Sequence, residues 1–235
     1  MKKFSLIRKS RGFTLVETVI AIGVLAVLLT GFVIVFAPAA AGIKKSINVQ
    51  EADRLASTLE QELATSRGTE PTPGFSKAFQ WIKESNSANN ALLVYQYRGS
   101  LTEPLRDDGT PKPEADVSNK VAGKDFAVLS MVRRKGDAKF TADLPAVEGG
   151  VYLVKCTQLV FQGGELKPGN PGAIRDPKGT AVSQTADDYP EAVIAFAAEF
   201  HALPGKSEGF FGVPFTKFFN NAKNPVFTRN LAVRR

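Results

Sequence analysis

From residue 18 to residue 43 the chain carries no charged side chain. The stretch VIAIGVLAVLLTGFVIVFAPAAAGI is apolar or small throughout, apart from Thr30. Taken from Phe13 to Ala41 as helix, at 1.5 Å per residue, it would run about 43 Å against a hydrocarbon core of about 30 Å. It is therefore long enough to span a membrane, and a helix apolar on every side has no soluble partner surface of its own. Gly23, Gly31 and Pro38 interrupt it; such residues are tolerated in membrane helices, and Pro38 is expected to kink or locally unwind the helix. A secretory signal also begins with basic residues and an apolar run, and APAAAG offers small residues for cleavage near Ala41. Its apolar region, however, is usually about 7 to 15 residues long.

Charge is placed unevenly around this run. Lys2, Lys3, Arg8, Lys9 and Arg11 precede it with no acid among them, and they account for most of the formal charge of +7, leaving +2 for the rest. The basic character thus belongs to the leader, and net charge gives little reason to expect nucleic acid as a partner. Five leader cations against Lys44 and Lys45 beyond the span predict a cytoplasmic N-terminus. Glu17 is the anomaly: between Arg11 and Lys44 it is the one charged residue. A carboxylate at the bilayer centre costs about 2.5 to 3.5 kcal/mol on insertion scales, and less near the edge. So placed, Glu17 wants a positive partner; otherwise it snorkels to the head groups.

After Ile43 the helical pattern continues in another form. In KKSINVQEADRLASTLEQELATSRG, Ala52, Leu55, Ala56, Leu59 and Leu63 recur at spacings of three and four, one apolar stripe on a polar helix over 44–66. Gly68, Pro71 and Pro73 are expected to end it. GFSKAFQWIKE (74–84) reads as a short helix with Phe75, Phe79 and Ile82 on one face. Five strand-like runs follow, at 91–98, 125–134, 150–161, 192–203 and 225–235, separated by long Gly/Pro/Asp-rich connectors. The fourth is alanine-rich, but Pro190 before it, its Val-Ile-x-Phe and Pro204 after it favour strand. The fold class is α+β: a long N-terminal helix, greasy then amphipathic, packed on an antiparallel sheet.

A short basic leader ending in Gly12, then Phe13, Thr14, Leu15, Val16 and Glu17, then a long apolar run, resembles the prepilin signal of type IV pilins and type II secretion pseudopilins. The helix-then-sheet plan is also similar to that family, although detailed likeness covers only residues 8 to 43. The resemblance implies a prepilin peptidase that cuts between Gly12 and Phe13 on the cytoplasmic side of the inner membrane and methylates the new amine of Phe13. It implies removal of the leader 1–12, a membrane and filament-core helix over 13–43 and a soluble domain over 44–235. Glu17 would serve assembly, with Gly23, Gly31 and Pro38 shaping helix packing. Its partners would be the peptidase, other subunits, an inner-membrane assembly platform and, before assembly, membrane lipid. The final place would be a periplasmic or extracellular filament. A lone cysteine cannot supply the C-terminal disulfide loop of many type IV pilins, and the loops are bulky. Both departures point to a minor or lineage-specific subunit, of which the verrucomicrobial pilin-like kind is one candidate. The alternative is a signal-anchored or secreted binding module that never polymerises.

Other residues carry weaker signals. Cys156, in VYLVKCTQLVF, reads as a buried strand side chain. His201, the only histidine, reads as a satisfied or half-exposed strand residue; no catalytic arrangement and no Cys/His metal spacing accompanies it. The acids of RDDG (106–109) and TADD (185–188) lack an ordered calcium-ligand spacing and read as turn formers, so no cofactor is expected, with calcium the one candidate. GFFGVPFTKFF (209–219) would be a loop or short helix folded onto the core, or an exposed patch that contacts a neighbouring subunit. The basic RRK (133–135) and TRNLAVRR (228–235) read as solvated strand ends.

Overall fold

The computed structural model describes residues 14–65, 74–118 and 124–235. The leader 1–12, the expected cut between Gly12 and Phe13, and the helix-ending Gly68, Pro71 and Pro73 lie outside them. The chain divides into two compact units between Ser46 and Ile47.

The first helix, α1, is assigned from Leu15 to Ala64 without a break. The unwinding expected at Pro38 does not occur: the residue lies inside the helix. A proline removes one N–H, and the helix on either side carries enough other hydrogen bonds to continue.

In the second unit, the stripe on α1 is buried as its spacing predicts. Ala52, Leu55, Ala56, Leu59 and Leu63 are fully covered. Each leucine contributes roughly 1.5 to 3 kcal/mol by leaving water. Glu62 is also buried, and Lys77 answers it at 2.5 Å. That lysine lies on α2 (Gly74–Glu84), whose Phe75, Phe79 and Ile82 join the same core.

The strands are β1 (Leu92–Ser100), β2 (Phe126–Arg134), β3 (Val147–Gln162), β4 (Glu165–Pro168), β5 (Ile174–Arg175), β6 (Val182–Ser183), β7 (Val193–Ala202) and β8 (Phe227–Arg234). The main sheet runs β2-β1-β3-β7-β8 and all its pairings are antiparallel; β4 extends the far end of β3, and β5 and β6 form a separate small ribbon. Gln162 faces Glu165 across a two-residue turn, and Gly163 and Gly164 both have positive φ, which such a turn requires. The alanine-rich fourth run is strand, as expected. The connector expected over 163–188 instead contains β4, β5 and β6.

Period-two alternation splits β1 between two cores. Leu92 and Val94 face α1 and α2, whereas Leu93, Tyr95 and Tyr97 face the opposite side. That side is roofed by α3 (Ala138–Asp143) and α4 (Val213–Asn221). Phe140, Phe215 and Phe219 are its buried aromatics, with Phe210, Phe211 and Phe218 packed around them.

The basic RRK is not a solvated strand end. Arg133 is buried and binds Asp108 at 2.9 Å, Asp137 at 3.1 Å and Asp143 at 3.1 Å. Arg134 pairs with Glu84. Asp143 is wholly buried and also accepts from Tyr95 Oη at 2.5 Å and Arg106 Nη2 at 2.5 Å. Burial opposes the charge on Asp108, but hydrogen bonds from Thr110 and Arg133 hold its carboxyl well below the usual range. This network ties the 101–118 loop to the sheet, and a charge stripped of its partner there would be costly.

His201 also departs from expectation. It is only 3% exposed, and Nε2 finds no hydrogen-bond partner. Burial, reinforced by the Lys155 ammonium, pushes its imidazole down to about 4. Cys156 behaves as expected: it is buried, and burial pushes its thiol up to about 12.

Two outcomes follow for the full chain in detergent. Leu59→Ala should lower unfolding stability by about 2 to 5 kcal/mol, read from denaturant titration. The unfolded histidine titrates near 6.5, so between that pH and about 4 the unfolded state binds more protons than the folded one. His201 should therefore contribute full stability above pH 6.5 and lose on the order of 3 kcal/mol as pH falls to 4, and His201→Leu should remove that part of the pH dependence.

Candidate functional site

The start of α1 is built by two side chains three residues apart. Glu17 N donates to Thr14 Oγ1 at 3.2 Å, and Thr14 N donates back to Glu17 Oε2 at 3.1 Å. Thr14 Oγ1 also donates to Glu17 Oε2 at 3.1 Å. This is a capping box, which satisfies two of the N–H groups that a helix start leaves without partners. The T-x-x-E spacing was legible in the sequence as a helix-start signal, and Thr14 is the residue that a reading centred on Glu17's charge overlooks.

Both hydrogen bonds to the carboxylate use Oε2. Among the described residues Oε1 accepts none, and it remains free to meet a cation. Thr14 and Glu17 both lie on the C-terminal side of the expected cut, and Thr14 would keep its backbone N–H after it.

Beyond the box, every residue from 14 to 47 is exposed. Val19, Ile22, Leu25, Leu29, Phe32 and Phe36 each leave more than half their surface bare. Thr30 does not interrupt this surface chemically, because its hydroxyl donates to Ala26 O at 2.8 Å within the helix. A Cβ built at Gly23 or Gly31 would meet nothing within 4 Å, so the chain itself makes no use of their small size. Among the described residues, this is the one helix long and apolar enough to cross a membrane.

Residues 7–33 match the prokaryotic N-terminal methylation motif. The chain carries the type IV pilin and pseudopilin signature. The motif indicates a pilin-like or pseudopilin subunit, and its family is structural rather than enzymatic. Together with the apolar helix it suggests membrane anchoring. Comparison with curated proteins and with solved structures found no match.

The other candidates fall elsewhere. Asp107 and Asp108 engage Lys139 and Arg133. Asp188 caps its own turn, accepting from Thr185 N at 3.1 Å and Thr185 Oγ1 at 2.8 Å. No group of three metal-ligating side chains occurs among the described residues.

Thr14→Ala should remove about 1 kcal/mol from the helix start, while Thr14→Ser should retain most of it. Amide hydrogen exchange at residues 15–18 of the chain in micelles should quicken in the first variant and change little in the second.

Proposed function

We propose that the chain is a structural subunit of a type IV pilus-like filament or a type II secretion pseudopilus, in a minor or lineage-specific role. It is made as a precursor with its N-terminus in the cytoplasm. Prepilin peptidase removes residues 1–12 and methylates the amine of Phe13. The subunit waits in the inner membrane as a single-pass protein until an assembly platform moves it into a filament in the periplasm or outside the cell.

The observation that carries this reading is the single carboxylate of Glu17 at the head of the otherwise uncharged, exposed part of α1 that runs to residue 43, within a match to a methylation motif at 7–33. Cleavage liberates an ammonium at Phe13, and methylation keeps its charge. Four positions separate the two residues in sequence, which a helix would turn into about one turn. Between staggered neighbours, Glu17 Oε1 of one copy can accept from the Phe13 ammonium of the next, which rewards one axial register. The capping box supports this role by fixing the carboxylate at the helix head. Apolar side chains exchange lipid for like helices with little net gain, so packing and the ion pair select the arrangement. Gly23 and Gly31 allow close backbone approach, and Pro38 offers a point where the helix can bend as subunits pack.

Mass spectrometry of the native protein should find a mature N-terminus at methyl-Phe13, and Glu17→Ala should be processed normally yet enter fibres several-fold less. A chain beginning near Gly42 or retaining Met1 would favour a signal-anchored or secreted module that does not polymerise. Normal fibre incorporation of Glu17→Ala would overturn the role given to the acid.

A further inference from the structure

Within the second unit, α1 runs in the same direction as β3. Near its start, Tyr152 Oη donates to Asn48 O at 3.3 Å and to Glu51 Oε2 at 2.8 Å, and Gly150 N donates to Glu51 Oε1 at 3.4 Å. Further along, Asp53 and Ser57 meet Arg229, which lies in the row of Ala198 and Cys156. The end of the unit at which α1 enters is therefore the end where β3 begins, β1 finishes and β2 starts. β1 passes the Tyr152 row at Val94 and runs on to Ser100, which puts Leu101 about 20 Å beyond that row. Ile47 lies only about 6 Å of helix before Glu51. The loop that follows β1 thus projects past Ile47.

That loop is anchored, yet it presents apolar side chains to water. Ser100 Oγ accepts from Thr102 N at 3.3 Å and from Glu103 N at 3.1 Å, Leu101 N donates to Asp125 O at 2.9 Å, and Arg106 Nη2 donates to the buried Asp143 at 2.5 Å. Between these anchors Leu101 is 63% exposed and Leu105 60%. The charges around them are answered within the chain: Lys112 by Glu103 at 3.4 Å, and Arg98 by Glu114 at 3.4 Å and by Glu148. Two leucines held out among paired charges suit an apolar boundary better than a charged partner. The chain itself says which boundary. Only Lys44, Lys45 and Ser46 join Ile47 to the uncharged apolar run that ends at Ile43. Those four steps span at most about 14 Å however they are arranged. With the run in a bilayer, Ile47 can lie no further than that from its end, and the loop projects past Ile47 by a similar distance.

We propose that the tip of this loop, 101–105, docks on the lipid surface beside the point where α1 enters the membrane. The inference rests on the reading of α1 as a membrane span and goes beyond it, because a span alone leaves the second unit free to tumble. Two leucines bind a membrane weakly from solution, but a short tether holds them at high local concentration. The leucines enter the boundary between head groups and acyl chains, and the paired charges around them make no demand for anionic lipid. Docking holds the second unit in one orientation on the membrane before any neighbour is met.

The test is fluorescence quenching on the full chain reconstituted in phosphatidylcholine vesicles. A polarity-sensitive dye is attached at Pro104→Cys, between the two leucines, or at Leu166→Cys, an exposed site on β4 at the opposite end of β3. Cys156 stays unlabelled, since it is buried and its thiol is held protonated. Quencher groups on the lipid chains near the glycerol should dim the dye at 104 several-fold and leave the dye at 166 nearly unchanged. Adding Leu101→Asp and Leu105→Asp to the Pro104→Cys chain should abolish most of that quenching. Flotation of the vesicles separates the two readings. Chains that float with the lipid but show no quenching at 104, equal quenching at both sites, or quenching indifferent to the two aspartates would overturn the docking and leave the span standing. Chains that do not float would overturn both.

Discussion

The constraint on which the structure turns is that one helix must satisfy two unlike surroundings. Its second part lays a stripe of leucine and alanine on a sheet and is buried by it. Its first part presents leucine, isoleucine, valine and phenylalanine on every side and buries none of them within the chain. A single continuous helix can serve both because helical hydrogen bonding is internal and does not depend on what lies outside. What differs is the source of stability. The amphipathic part draws on tertiary packing, as most short helices do. The greasy part needs lipid or other apolar helices, and its one carboxylate must be satisfied locally before any partner arrives. The capping box with Thr14 does this, turning an awkward charge into the fixed start of the helix.

This changes how Glu17 is understood. Read from the sequence, it is an acid waiting for a cation. In the structure it is already half used: Oε2 holds Thr14, and Oε1 faces no donor among the described residues. A carboxylate pinned by its own helix has lost side-chain freedom before it pairs, so a later ion pair costs less ordering entropy. The cap would therefore favour the ion pair proposed for it.

How much the sequence disclosed follows from how local each signal was. The stripe from Ala52 to Leu63 and the five strands were legible because periodicity and flanking Gly and Pro mark them within a short window. The helix α3 was not, being only six residues long; α4 was legible only as a loop or short helix folded onto the core, because phenylalanine and proline carry little helical signal. The fate of Arg133 was illegible for a different reason. Its partners Asp108, Asp137 and Asp143 come from a loop and from the two ends of α3, and only the fold assembles them. His201 misled similarly, since its burial, the nearby Lys155 ammonium and the hydrogen bond with the Asn224 backbone are tertiary facts. In the candidate site, the opposite happened. T-x-x-E is as local as a signal can be, yet the charge of Glu17 drew attention away from its spacing.

The sheet repeats the helix's division of labour in another form. At the β2–β1 side, its second face is sealed by aromatics and tied down by buried arginine–aspartate pairs, which fix loop and sheet in one arrangement. At the β7–β8 side, the same face carries Val193, Ala195, a covered Ala197 and Glu199, the last opposite Lys155 of β3, whose ammonium bonds the Phe219 carbonyl of α4. Buried ion pairs repay their desolvation only when every partner is in place, so they suit a surface that never opens. Small apolar side chains such as Val193 and Ala195 lose little by staying near water, so this part of the face is stable without an aromatic roof.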